Sequence, residues 1–147
     1  MKRNLISTLI LVSTLISCTS ESDFAPEKLN SDEYPQTWKL VKMSGSFANS
    51  ETSGNDMDWQ EYYRLNSDNT FLKFRVRKGS INEATGTFTF ITLSDGEYLE
   101  LLYASGNNLI GNCTGENKEY LSLRSDNRLI GTWNACDGPG LEYERVE

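Results

Sequence analysis

The 147-residue chain contains no histidine. That absence removes the commonest general base, the usual transition-metal ligand and any serine–histidine–aspartate triad, and most hydrolytic mechanisms go with them. Positive charge is in deficit, with 14 Lys and Arg against 21 Asp and Glu, a formal net charge of −7. Such a surface repels nucleic acid and anionic membrane. No glycine-rich phosphate loop follows a strand and opens a helix, and no basic patch is interleaved with aromatics, so nucleotide and nucleic-acid roles are not expected. Cysteine is scarce, with three residues at positions 18, 113 and 136. The long apolar run, residues 5 to 16, falls short of the roughly 20 residues a membrane helix needs.

What stands around that run is an export signal. Lys2 and Arg3 precede it, and it breaks at Ser17-Cys18-Thr19-Ser20 before turning acidic at Glu21 and Asp23. Residues 1–17 are therefore read as a signal peptide and left out of the fold. Leu15-Ile16-Ser17-Cys18 resembles a bacterial lipobox, which implies lipid transfer to the Cys18 thiol and cleavage just before it. Two or more acyl chains, palmitate among them, hold a protein on a membrane where one binds marginally. The expected address is the cell envelope, at the outer membrane, facing the periplasm or the cell surface. Removing residues 1–17 leaves 12 cations against 21 acids, a net charge of −9. Residues 18–33 are polar, contain a proline and lack any period, as in a flexible tether. Ser20-Glu21-Ser22-Asp23 also resembles the acidic signals that send some lipoproteins to the cell surface.

With Cys18 committed to lipid, Cys113 and Cys136 form an even pair in an oxidising compartment and are expected to join. A thiol nucleophile is then not expected either.

Residues 34–147 read as one nearly all-β domain, because alternation of period two and β-rich runs recur between turn residues and no helical period persists over three turns. Strands are expected at 37–44, 60–65, 70–78, 85–93, 97–104, 107–113, 119–124, 129–135 and 141–146. Asn66-Ser67-Asp68-Asn69, Ser94-Asp95-Gly96, Ser105-Gly106-Asn107-Asn108 and Ser125-Asp126-Asn127 supply tight turns, so successive strands should be antiparallel neighbours. In the run from Phe71 to Arg77, Leu72, Phe74 and Val76 are expected to face the core, with Lys73, Arg75 and Arg77 in water. Nine short strands fit a closed antiparallel barrel or a two-sheet sandwich. Residues 44 to 58, rich in Gly, Ser and Asn, form a loop long enough to be functional or mobile.

Gln36-Thr37-Trp38-Lys39-Leu40-Val41, then Leu65-Asn66-Ser67-Asp68-Asn69-Thr70-Phe71, then Gly86-Thr87-Phe88-Thr89-Phe90, and finally Tyr143-Glu144-Arg145-Val146 together resemble lipocalin-like lipoproteins of the Bacteroidetes type. The resemblance covers most of residues 36–146. It implies an up-and-down barrel of eight or nine strands, closed at one end by Trp38 under Arg145, a packing role in which a guanidinium covers an indole. Gln36 stands where the family has the glycine of Gly-x-Trp, and Gly131-Thr132-Trp133 carries that triplet instead. The sequence thus leaves open which tryptophan meets Arg145.

Two functions are compatible with these residues, and neither is enzymatic. In the first, the barrel binds a small hydrophobic or amphipathic ligand, with Tyr62, Leu72, Phe74, Phe88, Phe90, Leu101 and Tyr103 lining the interior. In the second, the domain is an interaction subunit of an envelope complex that docks through residues 44 to 58 and an exposed Trp59 or Tyr63. Glu97, Glu100, Glu142 and Glu144 alternate along strands as a solvated outer face does. Asp56-Met57-Asp58-Trp59-Gln60-Glu61 gathers oxygen atoms but lacks the spacing of a calcium loop, so no metal or cofactor is assigned.

Overall fold

The computed structural model describes residues 33–146. The expected signal segment, Cys18 and the expected tether as far as residue 32 lie outside the described residues. Nine strands follow one another: β1 (Gln36–Ser44), β2 (Thr52–Ser53), β3 (Gln60–Leu65), β4 (Thr70–Arg77), β5 (Ser80–Leu93), β6 (Gly96–Tyr103), β7 (Lys118–Leu123), β8 (Arg128–Gly131) and β9 (Gly140–Arg145). From β3 to β9 each strand pairs antiparallel with the next, and β1 pairs with both β3 and β9. The sheet therefore closes into an eight-stranded up-and-down barrel, which excludes the sandwich. β2 adds a two-residue rung on β1. No α-helix occurs among the described residues.

The turns explain where expected and observed strands differ. Asn69 and Asn127 take positive φ, 62° and 58°, in the β3–β4 and β7–β8 links, a conformation asparagine tolerates. Lys78 (φ 50°) and Gly79 (φ 79°) make a two-residue hairpin, so β5 starts at Ser80 rather than at 85. The expected strand at 107–113 is absent. There the side chains of Asn107 and Asn112 satisfy the backbone in place of a ladder: Asn107 Oδ1 accepts from Leu109 N at 2.9 Å, and Asn112 Nδ2 donates to the carbonyls of Glu116 and Lys118 at 2.6 Å. The strand expected at 129–135 stops at Gly131, and Trp133–Cys136 is a 3₁₀ turn.

The barrel has two distinct ends. At the closed end, which carries the turns at 66–69, 94–95 and 124–127, Trp38, Leu65, Phe71, Leu99 and Leu129 are buried together. Trp38 lies directly opposite Arg145 across the β1–β9 pair, and Arg145 Nη2 donates to the Glu33 carbonyl at 3.3 Å. Trp133 stands at the other end, on the loop between β8 and β9. Gly86 lets β5 and β6 approach where the long β5 passes Phe71: a Cβ there would sit 2.0 Å from the Leu102 carbonyl oxygen. The open end carries the loops 45–59, 104–117 and 132–139.

Candidate functional site

The inward face of β4 is the reverse of the expected one. Phe71, Lys73 and Arg75 are buried, whereas Leu72, Phe74 and Val76 are half-buried on the outside. Register decides this: Lys73 pairs with Tyr63 of β3 and Ala84 of β5, and Arg75 with Glu61, all of them interior positions apart from the accessible rim. A shift of one residue would flip every side chain, and it would separate the two cations from the two interior carboxylates, Glu61 and Glu119. Arg77, in phase with them, reaches the open rim and remains exposed, as expected.

Lys73 Nζ lies 3.2 Å from Glu61 Oε1 and 3.1 Å from Glu119 Oε2, and donates to the Leu109 carbonyl at 2.7 Å. Arg75 Nε donates to the other oxygen of Glu61. Three phenols complete the set: Tyr143 donates to Glu61 at 2.6 Å, Tyr63 to Glu119 at 3.0 Å, and Tyr103 also to Glu119. Two cations, two carboxylates and three hydroxyls thus occupy the upper half of the barrel, and each carboxylate oxygen faces a donor. Isolated buried charges are expensive, and this arrangement persists because cations and carboxylates balance and nearly every polar atom is hydrogen-bonded, Arg75 Nη2 alone of the network's side-chain atoms being buried without a partner among the described residues. Burial pushes the Glu61 carboxyl up, but Lys73, Arg75 and the Tyr143 hydroxyl outweigh it and hold the group below its ordinary value. Burial raises Tyr63, Tyr103 and Tyr143, with the neighbouring carboxylates acting in the same direction.

Trp59 roofs this network. The Arg75 and Arg77 guanidinium carbons lie 4.4 and 5.4 Å from its ring centroid, and Arg77 also pairs with Asp58. Trp59 Nε1 is buried without a hydrogen-bond partner among the described residues. The same residue forms part of a groove of about 640 Å³ that crosses the open end, with Met43, Trp133 and Pro139 as apolar walls and Asp56 and Asp137 at its edge. Trp133 is fixed by contact: a Cβ on Gly138 would sit 2.3 Å from its ring, so that glycine packs flat against the indole. The loop carrying both is tied to 104–117 by the Cys113–Cys136 disulfide, whose Cα atoms are 5.7 Å apart.

The seven residues expected to line an interior pocket divide. Phe88, Phe90, Leu101 and Tyr103 do point inward, but they are packed: Phe88 meets Phe90 at 6.0 Å, and Tyr103 meets Phe71 at 4.9 Å. Tyr62, Leu72 and Phe74 are on the outer face, where the Tyr62 and Phe74 rings stack at 4.8 Å, so they cannot line the interior. Trp59 and Tyr63, expected as exposed docking residues, are buried, at 8% and 0% exposure. Glu100, Glu142 and Glu144 lie on the outside in pairs with Lys118, Lys42 and Arg128, and Glu97 is exposed there. Glu61 turns inward, away from Asp56 and Asp58, and no cluster of metal-ligating side chains occurs among the described residues.

Sequence reasoning missed Glu61, Glu119, Lys73 and Arg75. A signal existed in β7: if Leu121 and Leu123 face the core, Glu119 must face it too, and a buried acid demands buried cations nearby. No protein-family model, curated protein or solved structure matches this chain.

Proposed function

We propose that this chain is an exported, lipid-anchored binding protein of the lipocalin-like lipoprotein kind, and that its ligand is a small amphipathic molecule seated across the open end of the barrel. The observation that carries the reading is the groove between Trp59 and Trp133. At about 640 Å³ it falls within the size range of small-ligand sites, and it combines apolar walls with a few polar groups. The interior favours this placement over a central pocket, because the charge network and the core side chains occupy it. The anchor rests on Leu15-Ile16-Ser17-Cys18 and the charged and apolar segment before it.

Titration of the purified domain with a panel of fatty acids and hydrophobic dyes should give saturable quenching of tryptophan emission, lost in Trp133→Ala. A panel without one saturable binder overturns the reading. For the anchor, mass spectrometry of membrane-extracted protein should find an acylated residue 18 at the mature N-terminus, and Cys18→Ser should release the domain. An unmodified residue 18 with residues 1–17 still attached overturns that part.

A second reading, an interaction subunit, is favoured by one observation: Phe47, in the loop after β1, is 76% exposed. Capture from detergent-solubilised membranes should then recover a stoichiometric partner that Phe47→Ser no longer holds.

A further inference from the structure

We infer that the groove at the open end selects ligands with a cationic head on an apolar body, such as a protonated primary amine on an aromatic or short alkyl chain. This rests on the reading of the groove as the binding site and adds the charge of what it takes.

Charge complementarity carries the inference. Among the described residues no lysine or arginine lines the groove, whereas three carboxylates do: Asp56, Asp58 and Asp137. Asp58 is neutralised by Arg77, but Asp56 and Asp137 form no ion pair among the described residues. The cations nearest Trp59 are already committed, Arg75 to Glu61 and Arg77 to Asp58. The groove therefore keeps an uncompensated negative edge beside two indoles. The Trp59 ring already carries the Arg75 and Arg77 guanidiniums, so the edge carboxylates, with the half-buried Trp133 ring beside them, set the ligand charge. Asp137 is also held in place, as the left-handed cap (φ 72°) of the 3₁₀ turn that ends at the disulfide-bonded Cys136. An anionic head would meet both carboxylates unscreened in a protein whose net charge is already −7.

The test uses three probes that share one body: 4-phenylbutylamine, 4-phenylbutanol and 4-phenylbutyrate, titrated calorimetrically and by tryptophan emission excited where the phenyl ring is transparent. The amine should bind about tenfold or more tighter than the carboxylate, with the alcohol between them. The gap should shrink several-fold in 0.5 M salt. It should also shrink in Asp56→Asn/Asp137→Asn, since asparagine accepts the backbone conformation at 137. A double variant on the outer face, Glu83→Gln/Glu97→Gln, removes the same charge from outside the groove lining and should leave the gap unchanged. Equal or tighter binding of the carboxylate overturns the inference and leaves the groove reading standing. Loss of the gap in the outer-face variant overturns it as well, since net charge alone then accounts for the preference. Failure of all three probes to bind saturably overturns both.

Discussion

Lys73 and Glu119, 46 residues apart in sequence, meet across the barrel interior with Nζ 3.1 Å from Oε2 and neither side chain in reach of water. Lys73 also contacts Glu61, so among the described residues it is the one cation shared by both buried acids. Lys73→Met would leave Glu119 without a cation and Glu61 with Arg75 alone. Removing one partner of a buried pair costs about 3–5 kcal/mol. Urea denaturation should show a loss of that size, and Lys73→Met/Glu119→Gln should recover part of it. A single variant as stable as the parent would contradict the geometry.

The three phenols set an alkaline limit. Burial and the adjoining carboxylates raise Tyr63, Tyr103 and Tyr143, so below pH 10 folded and unfolded chains both keep these protons and stability does not change on their account. Above pH 10 the unfolded chain releases protons that the folded chain retains, and each tyrosine then withdraws about 1.4 kcal/mol per pH unit. With all three acting, urea midpoints should fall steeply between pH 10 and 11, and Tyr143→Phe should make the slope shallower by about a third. A flat profile there would mean that the phenols titrate normally.

At the acid end the sign reverses. Lys73, Arg75 and the Tyr143 hydroxyl hold Glu61 below its ordinary value against the upward push of burial. Its contribution is complete above the unfolded value, near pH 4.5, and disappears as the pH falls through the lower folded value. Glu61→Gln should therefore flatten the acid limb of the stability curve, measured by denaturation between pH 5 and pH 3, while lowering stability at neutral pH.

Cys113 and Cys136 close a loop spanning 23 residues of sequence. In the chain-entropy picture, a cross-link of that span stabilises by about 3 kcal/mol. Cys113→Ala/Cys136→Ala should lower the unfolding free energy by an amount of that order and loosen the 132–139 loop, read as faster amide exchange at residues 133–138. The barrel strands themselves should keep their protection.

The orientation of β4 gives a sharper contrast. Phe71 is 2% exposed in the core, and Phe74 is stacked on Tyr62 outside. Phe71→Ala should cost about 3–5 kcal/mol, and Phe74→Ala about 1. The opposite order would restore the alternation read from the sequence.

That alternation shows what local pattern can and cannot decide. Alternation and turn chemistry placed β3 at its observed limits and seven other strands within a few residues, apart from the early start of β5 and the early end of β8, because each strand's period is a local property. Facing is not local. Leu72, Phe74 and Val76 outnumber Phe71 as apolar positions, and nothing within β4 reveals that Glu61 and Glu119 wait on neighbouring strands. The groove was illegible for the same reason: Trp59 and Trp133 lie 74 positions apart, and barrel closure brings their loops to one end. The disulfide was legible because two thiols left little choice, whereas the opposition of Trp38 to Arg145 was only what the resemblance implied, with Trp133 open as the alternative until barrel closure placed it at the other end.

Closure through β1 and β9 has a mechanical corollary. The backbone enters at Glu33 and leaves at Val146 beside the same floor, while Met43, at the far end of β1, borders the groove. A nine-residue strand measures about 30 Å. The segment that precedes Glu33 therefore joins the barrel at its base, a barrel's height from the recess, and leaves the mouth of the groove unobstructed by its point of entry.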